Sequence, residues 1–272
     1  MSRIADGFAA LRARGTAAVV PYVTAGDPDI GTTRDIVRAA VAEGADAIEL
    51  GVPFSDPMAD GPVLQRSSAR ALVAGTSLPR VLELVADLRA EMTQPIILFG
   101  YYNPFFRYGV DAIAADAAAA GADGILCVDL PVEEAGELRA PVRRAGLDLI
   151  SLLAPTTPLA RARRIARESS GFLYFVSVLG TTGARNALPP ELPELVGRLR
   201  SVTTLPIGVG FGVSGPDQAA WVARFADAVI VGSAIGRLIE EGDAAGAPGR
   251  VGRFVASLGS AVRAVARPCV GG

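Results

Sequence analysis

The chain has 272 residues, half of them hydrophobic, and a formal net charge of −2. That length and apolar content allow a large buried core and exclude a disordered chain or a broadly basic, nucleic-acid-binding surface. It contains no histidine and no lysine, which removes the usual zinc sites, Ser–His and Cys–His nucleophile pairs and every lysine Schiff base. Proton transfer must therefore fall to carboxylates, tyrosine or cysteine. The opening residues Met1-Ser2-Arg3-Ile4-Ala5-Asp6-Gly7 carry an early acid and no apolar signal core, and the apolar runs are too short to span a membrane. Cys127 and Cys269 have no metal-ligand spacing. A cytoplasmic protein without disulfides is expected.

In chain order, a helix over about Ser2–Arg14 is followed by eight short apolar strands: Ala17–Val23, Asp46–Gly51, Pro95–Gly100, Gly124–Asp129, Asp148–Leu153, Phe172–Val178, Leu205–Gly210 and Ala228–Gly232. Their nearly unbroken apolar character suits parallel strands covered on both faces. Helical periodicity fills the gaps at Asp29–Glu43, Leu78–Glu91, Val110–Ala120, Val132–Ala145, Pro158–Glu168, Pro189–Ser201, Gly215–Arg224 and Pro248–Ala266. Pro141 is expected to kink or interrupt the fourth of these. A short extra helix, Ser233–Glu241, follows strand eight. Eight evenly repeated units predict one (β/α)8 TIM barrel over residues 1–272, with the N-terminal helix on its floor. The phrases Glu43-Gly44-Ala45-Asp46, Ala120-Gly121-Ala122-Asp123 and Phe225-Ala226-Asp227 recur where helices give way to strands.

In such barrels chemistry sits at the C-terminal ends of the strands. Alternation puts Ile48 and Leu50 on one face of strand two and Glu49 on the other, inside the barrel. A carboxylate there loses hydration, so it is either a structural group with a partner or a functional one with a raised pKa. The next loop, Pro53 to Pro62, adds Asp56 and Asp60; Asp-Pro and Asp-Gly are also ordinary turn dipeptides, and both readings stand. Glycine turns follow strands six, seven and eight: Gly180-Thr181-Thr182-Gly183, Gly210-Phe211-Gly212 and Gly232-Ser233. Backbone amides there, with the N-terminus of the extra helix, make the usual barrel phosphate site. Aromatics gather after strand three (Phe99 to Phe106), with Tyr22 and Phe211 at other strand ends. They suit a flat apolar substrate group or plain core packing. A sugar-phosphate isomerase and a pseudo-enzyme that only regulates a partner are the rival readings of such a barrel.

With these residues assembled, the chain resembles the tryptophan synthase alpha subunit family. The likeness runs from Pro21-Tyr22-Val23-Thr24-Ala25-Gly26-Asp27-Pro28 through Glu49-Leu50-Gly51-Val52-Pro53-Phe54-Ser55-Asp56-Pro57, Asp60-Gly61-Pro62 and Gln65. It continues through Tyr102-Asn103-Pro104, Asp129-Leu130-Pro131, Ala154-Pro155-Thr156 and Gly183-Ala184-Arg185 to Gly210-Phe211-Gly212 and Gly232-Ser233. The resemblance implies a lyase of L-tryptophan biosynthesis, cleaving indole-3-glycerol phosphate to indole and glyceraldehyde 3-phosphate by a retro-aldol step. Glu49 and Asp60 match its acid/base pair. Tyr22, Phe99, Leu126, Tyr174, Thr182, Phe211 and Ile230 match substrate-contacting positions, and Gly183, Gly210, Gly212, Gly232 and Ser233 phosphate-binding ones. The family also implies no metal or cofactor in this chain, and a β subunit that holds pyridoxal phosphate in an α2β2 heterotetramer, contacted through Pro53 and Asp56. A stand-alone lyase that releases free indole is the alternative. Where Phe is common in the family, Tyr22 adds a hydroxyl that needs a partner.

Overall fold

The computed structural model describes residues 2–177 and 188–266. Eight parallel strands close into a barrel in sequence order: β1 (Ala18–Thr24), β2 (Ile48–Gly51), β3 (Ile96–Gly100), β4 (Gly124–Cys127), β5 (Asp148–Leu153), β6 (Leu173–Val176), β7 (Ile207–Gly210) and β8 (Ala228–Val231). β8 pairs back onto β1, with Val20 opposite Ile230. These are the eight expected strands: β1 is shifted on by one residue, β5 is as expected and the others are trimmed at one or both ends; Val178 lies outside the described residues.

The period-two alternation divides the apolar residues into two cores. Val19, Val23, Ile48 and Leu50 face outward into a large cluster beneath the helices. Ala18, Val20, Tyr22, Ile97, Phe99, Leu126, Tyr174 and Ile230 face inward and fill the barrel. Helix α1 (Arg3–Ala13) closes the floor: Ile4 and Leu11 join the inner cluster, and Phe8 stacks at 5.6 Å on Phe172. The Ser2 hydroxyl donates to Asp148 at 2.5 Å, and Arg3 pairs with Asp123 at 2.8 Å, which fixes that helix in place.

The outer helices are α2 (Ile30–Ala42), α3 (Pro62–Val73), α4 (Leu78–Arg89), α5 (Tyr102–Tyr108), α6 (Val110–Ala120), α7 (Gly136–Arg144), α8 (Leu159–Glu168), α9 (Leu192–Arg200), α10 (Pro216–Ala223), α11 (Ser233–Glu240) and α12 (Ala247–Arg263). Two of them, α3 and α5, had no counterpart among the expected helices. The inward face of α3 carries Leu64, Ser67, Ser68 and Ala71, too small and polar to register as an apolar stripe. Seven-residue α5 buries only Phe105. α7 starts at Gly136, four residues later than expected, and runs unbroken through Pro141. Its ring forfeits a single backbone bond there.

The recurring Asp at the helix-to-strand joints has one physical role. Its carboxylate accepts the N–H of a residue on the neighbouring strand, and its own N–H donates back to that residue's carbonyl. Asp46 does this with Val19 (2.9 and 2.9 Å), Asp123 with Ile96 (2.8 and 2.8 Å) and Asp227 with Ile207 (2.9 and 2.8 Å). The joints close the lower rim of the sheet where the regular ladder runs out. An arginine balances each carboxylate: Arg263 at 3.7 Å, Arg89 at 2.7 Å and Arg200 at 2.9 Å. At Gly44 and Gly121 the preceding helix stops in the left-handed region, φ +96° and +95°, which a side chain would resist.

Asp123 is the most buried of the three. Asp123→Ala strips the Ile96 N–H of its acceptor and leaves the Arg89 guanidinium without its counter-charge. We expect a loss of about 3 kcal/mol in urea unfolding, with the barrel mouth unaffected at permissive temperature. A loss below about 1 kcal/mol would show that these joints contribute little.

Candidate active site

At the C-terminal end of the strands lies a cavity of about 330 Å³. Tyr22 from β1, Phe99 from β3, Tyr174 from β6 and Ile230 from β8 form its apolar wall, with Phe211 just past β7. The rings meet edge to face in a continuous chain: Tyr22–Phe99 at 5.0 Å, Phe99–Tyr174 at 6.2 Å and Tyr174–Phe211 at 5.9 Å. Such a wall receives a flat apolar ligand with little reorganisation. Phe211 adopts φ +66°, a costly conformation for an aromatic residue, with the Ser177 hydroxyl against its carbonyl and that of Gly210. The strained turn brings Gly212 and Ser214 into the lining.

Glu49 lies on β2 beside Tyr22, its register partner on β1. It is fully buried, and neither carboxylate oxygen has a hydrogen-bond partner among the described residues. Burial raises its pKa well above the usual carboxylate range. Burial thereby favours the protonated acid, since an unpaired buried charge is far costlier than a neutral one.

Asp60 sits in the loop before α3 and, unlike Glu49, lines the cavity. Burial raises its pKa to about 6, and a hydrogen bond from the Tyr101 hydroxyl works against the rise. Tyr101 also accepts the Ala59 N–H at 3.0 Å, which pins the loop just before the acid. Asp60 is thus mostly ionised above pH 7, while burial pushes Glu49 further towards its neutral form. Both carboxylates act on the same two rings. Burial first, then the charge of Asp60 and, more weakly, Glu49, raises Tyr22; burial, then Glu49 and, less, Asp60, raises Tyr174. The Tyr22 hydroxyl has a partner, Thr24 Oγ1, which donates to it at 3.4 Å.

The far end of the cavity is polar. Gly232, Ser233 and Ala234 line it at the N-terminus of α11, where free N–H groups and the helix dipole favour an anion. Arg237, one turn along the same helix, also lines it.

Not every expected site residue reaches this lining: Glu49 is buried beside Tyr22 but is not part of it. Leu126 is buried in the barrel interior opposite Phe99, behind the wall. Gly210 also lies behind it: a Cβ there would fall 2.0 Å from the Tyr174 hydroxyl oxygen, so its bare backbone makes room for that ring. Thr182 and Gly183 lie outside the described residues. Asp56 is exposed near the mouth, whereas Pro53 is buried. Tyr101 and Arg237 were not among the expected site residues. Tyr101 stood within the aromatic run after strand three. Arg237 follows Ser233 by four residues, the spacing that places two side chains on one helix face.

Because Glu49 keeps a proton that an unfolded chain releases above its ordinary value of 4.5, the native state binds more protons than the unfolded state. Stability then falls as pH rises from the ordinary glutamate pKa towards the raised one, by up to about 1.4 kcal/mol per pH unit. Glu49→Gln has no proton to lose. In urea unfolding its advantage over the parent chain should be larger at pH 8 than at pH 5; an advantage equal at both would contradict a buried neutral carboxyl.

Comparison with known proteins places this geometry. A family model described as tryptophan synthase alpha chain matches residues 8–260. The chain is 53% identical over 258 residues to the tryptophan synthase alpha chain of Citrifermentans bemidjiense, covering 95% of this chain and 97% of that one. A solved structure of Mycobacterium tuberculosis tryptophan synthase superposes with a TM-score of 0.89 at 38% identity, covering 96% of this chain and 98% of that one. The tryptophan synthase subunit alpha from Legionella pneumophila does so at 0.89 and 39% identity, again over 96% and 98%.

Proposed function

The chain belongs to the tryptophan synthase alpha chain family, and from that premise we propose that it cleaves indole-3-glycerol phosphate to indole and glyceraldehyde 3-phosphate with Glu49 and Asp60 as its acid/base pair. One observation carries the assignment of roles. Two carboxylates in unlike environments act on the cavity rings Tyr22 and Tyr174: Asp60 from the lining, hydrogen-bonded by Tyr101, and Glu49 buried beside Tyr22, with no partner among the described residues.

Breaking a carbon–carbon bond needs a sink for its electrons, and the substrate's own ring can serve. Glu49, protonated at rest, delivers its proton to indole C3 and leaves the ring an indoleninium cation. Asp60, ionised, stabilises the positive charge at the ring nitrogen. Glu49, now a carboxylate, takes the proton from the glycerol hydroxyl on the carbon bonded to C3. The carbon–carbon bond breaks, its electrons restore the indole, and the hydroxyl carbon becomes the aldehyde. Glu49 ends protonated, so the cycle balances without a co-reactant. The aromatic wall from Tyr22 to Phe211 holds the ring, with Ile230 and, from behind, Leu126 supporting it. The phosphate sits at Gly212, Gly232 and Ser233, with Gly210 making space for Tyr174. Thr182 and Gly183 complete the assignment from their match to the family motif.

We further assign a β-subunit partner, an α2β2 assembly, pyridoxal phosphate to that partner, and a cytoplasmic location. Among the described residues no helix is long and apolar enough to cross a membrane. Supporting a partner at the mouth, the loop after β2 exposes Asp56 and Met58, and α5 on the neighbouring unit exposes Phe106. An exposed apolar surface beside polar residues is the usual mark of a protein contact. Pro53, being buried, would shape that loop from beneath.

Indole release should follow a bell in pH. On the acid side kcat/KM falls as Asp60 gains a proton, with a limb near its value of about 6; on the basic side it falls as Glu49 loses its own. Glu49→Gln should lower kcat about 10³-fold while inorganic phosphate still binds. Substantial turnover by that variant would remove Glu49 from its role. Adding a tryptophan synthase β subunit should raise the rate of indole formation, with a 2:2 particle in sedimentation; no complex and no rate change would overturn the partner assignment.

A further inference from the structure

We infer that Arg237 is a specificity-determining residue of this cavity, a guanidinium that takes the phosphate end of the substrate alongside the backbone amides of the glycine turns. The inference rests on the proposed substrate and extends it to a residue outside the phosphate set already named.

Position comes first. Arg237 lies four residues after Ser233 on α11, so both side chains project from one face of that helix, and both line the cavity. The helix cannot roll away from this orientation. Gly236 rests directly on α3: a Cβ there would fall 2.9 Å from Val63 and 3.4 Å from Leu64, two residues that also line the cavity.

Charge comes second. The acid at the end of α11, Glu240, is already committed to α3, with Arg66 at 2.6 Å and Arg70 at 3.1 Å; Arg70 in turn grips the buried Asp27 at 2.7 Å. Among the described residues no carboxylate pairs with Arg237, and it is the only cationic side chain that lines the cavity. The balance of charge calls for such a group. Asp60 is the one acid among the described residues that line the cavity, and an incoming phosphate carries about −2. A helix N-terminus offers roughly half a positive charge. The planar fork of a guanidinium matches phosphate oxygens in geometry as well as sign. Its exposed place at the rim also suits it to draw the anion in from solution.

The phosphate group does not change during bond cleavage. Contacts to it strengthen ground state and transition state alike, so their loss appears in KM and not in kcat. In the full chain, together with its β partner where the two assemble, Arg237→Met should raise KM for indole-3-glycerol phosphate about tenfold with kcat within about twofold. It should weaken inhibition by inorganic phosphate in parallel and flatten the fall of kcat/KM with ionic strength. Arg237→Lys should recover part of the KM effect. Arg253→Met, on α12 away from the cavity, should change none of these. Unchanged KM and unchanged phosphate inhibition in a folded Arg237→Met variant, or an equal change in Arg253→Met, would overturn the assignment. Calorimetric binding of inorganic phosphate to the parent chain and to Arg237→Met separates the two proposals. If the parent chain releases no indole, the reaction is wrong, yet a drop in phosphate affinity on losing Arg237 still supports its role.

Discussion

A carboxyl group enclosed in an apolar barrel with neither oxygen bonded is the constraint around which this molecule is organised. Glu49 can remain there only as a neutral acid, because the interior offers its charged form no partner and no solvent. That enclosure depends on the fold as a whole. β2 must present alternate residues inward, eight strands must close, and α1 must stopper the floor so that water does not reach the interior from below. A proton donor at neutral pH is the chemical consequence of geometry that is otherwise purely apolar packing.

Asp60 is the counterpart. It is buried in a loop at the rim, and Tyr101 gives its anion a hydrogen bond that Glu49 lacks. Two identical functional groups therefore differ in protonation at one pH, which is the condition for one to act as acid while the other steadies positive charge. The ring chain from Tyr22 to Phe211 walls the cavity. It serves as packing for the barrel core and as a surface for a flat ligand.

Stability and function occupy opposite ends of the cylinder. At the floor, three aspartates close the lower edge of the sheet through paired backbone bonds, each balanced by an arginine. With no lysine in the chain, arginine performs every cationic task, and its several donors let Arg89 hold three carbonyls as well as Asp123. At the mouth the arginines of α3 hold Glu240 of α11, and no carboxylate among the described residues pairs with Arg237 beside the cavity.

Much of this was legible in the amino-acid order because it is local or periodic. Unbroken apolar runs separated by helical periods specify strands and their count. Alternation alone turns Glu49 away from Ile48 and Leu50, and the repeated Gly-Ala-Asp phrases mark the joints that do form. Glycine turns after strands seven and eight pointed to the polar end of the cavity for the same reason. Other features required the closed tertiary structure. α3 escaped notice because its buried face is small and polar, and a stripe of that kind is recognisable only once the barrel lies against it. Leu126 and Gly210 stand behind the lining because depth depends on which rings come between, and no spacing encodes that. That Glu49 has no partner among the described residues, and that Glu240 is held by the arginines of another helix, are statements about groups brought together from distant parts of the chain. A sequence determines which side chains exist and which way each strand or helix turns them; only the assembled barrel decides which of them are left alone.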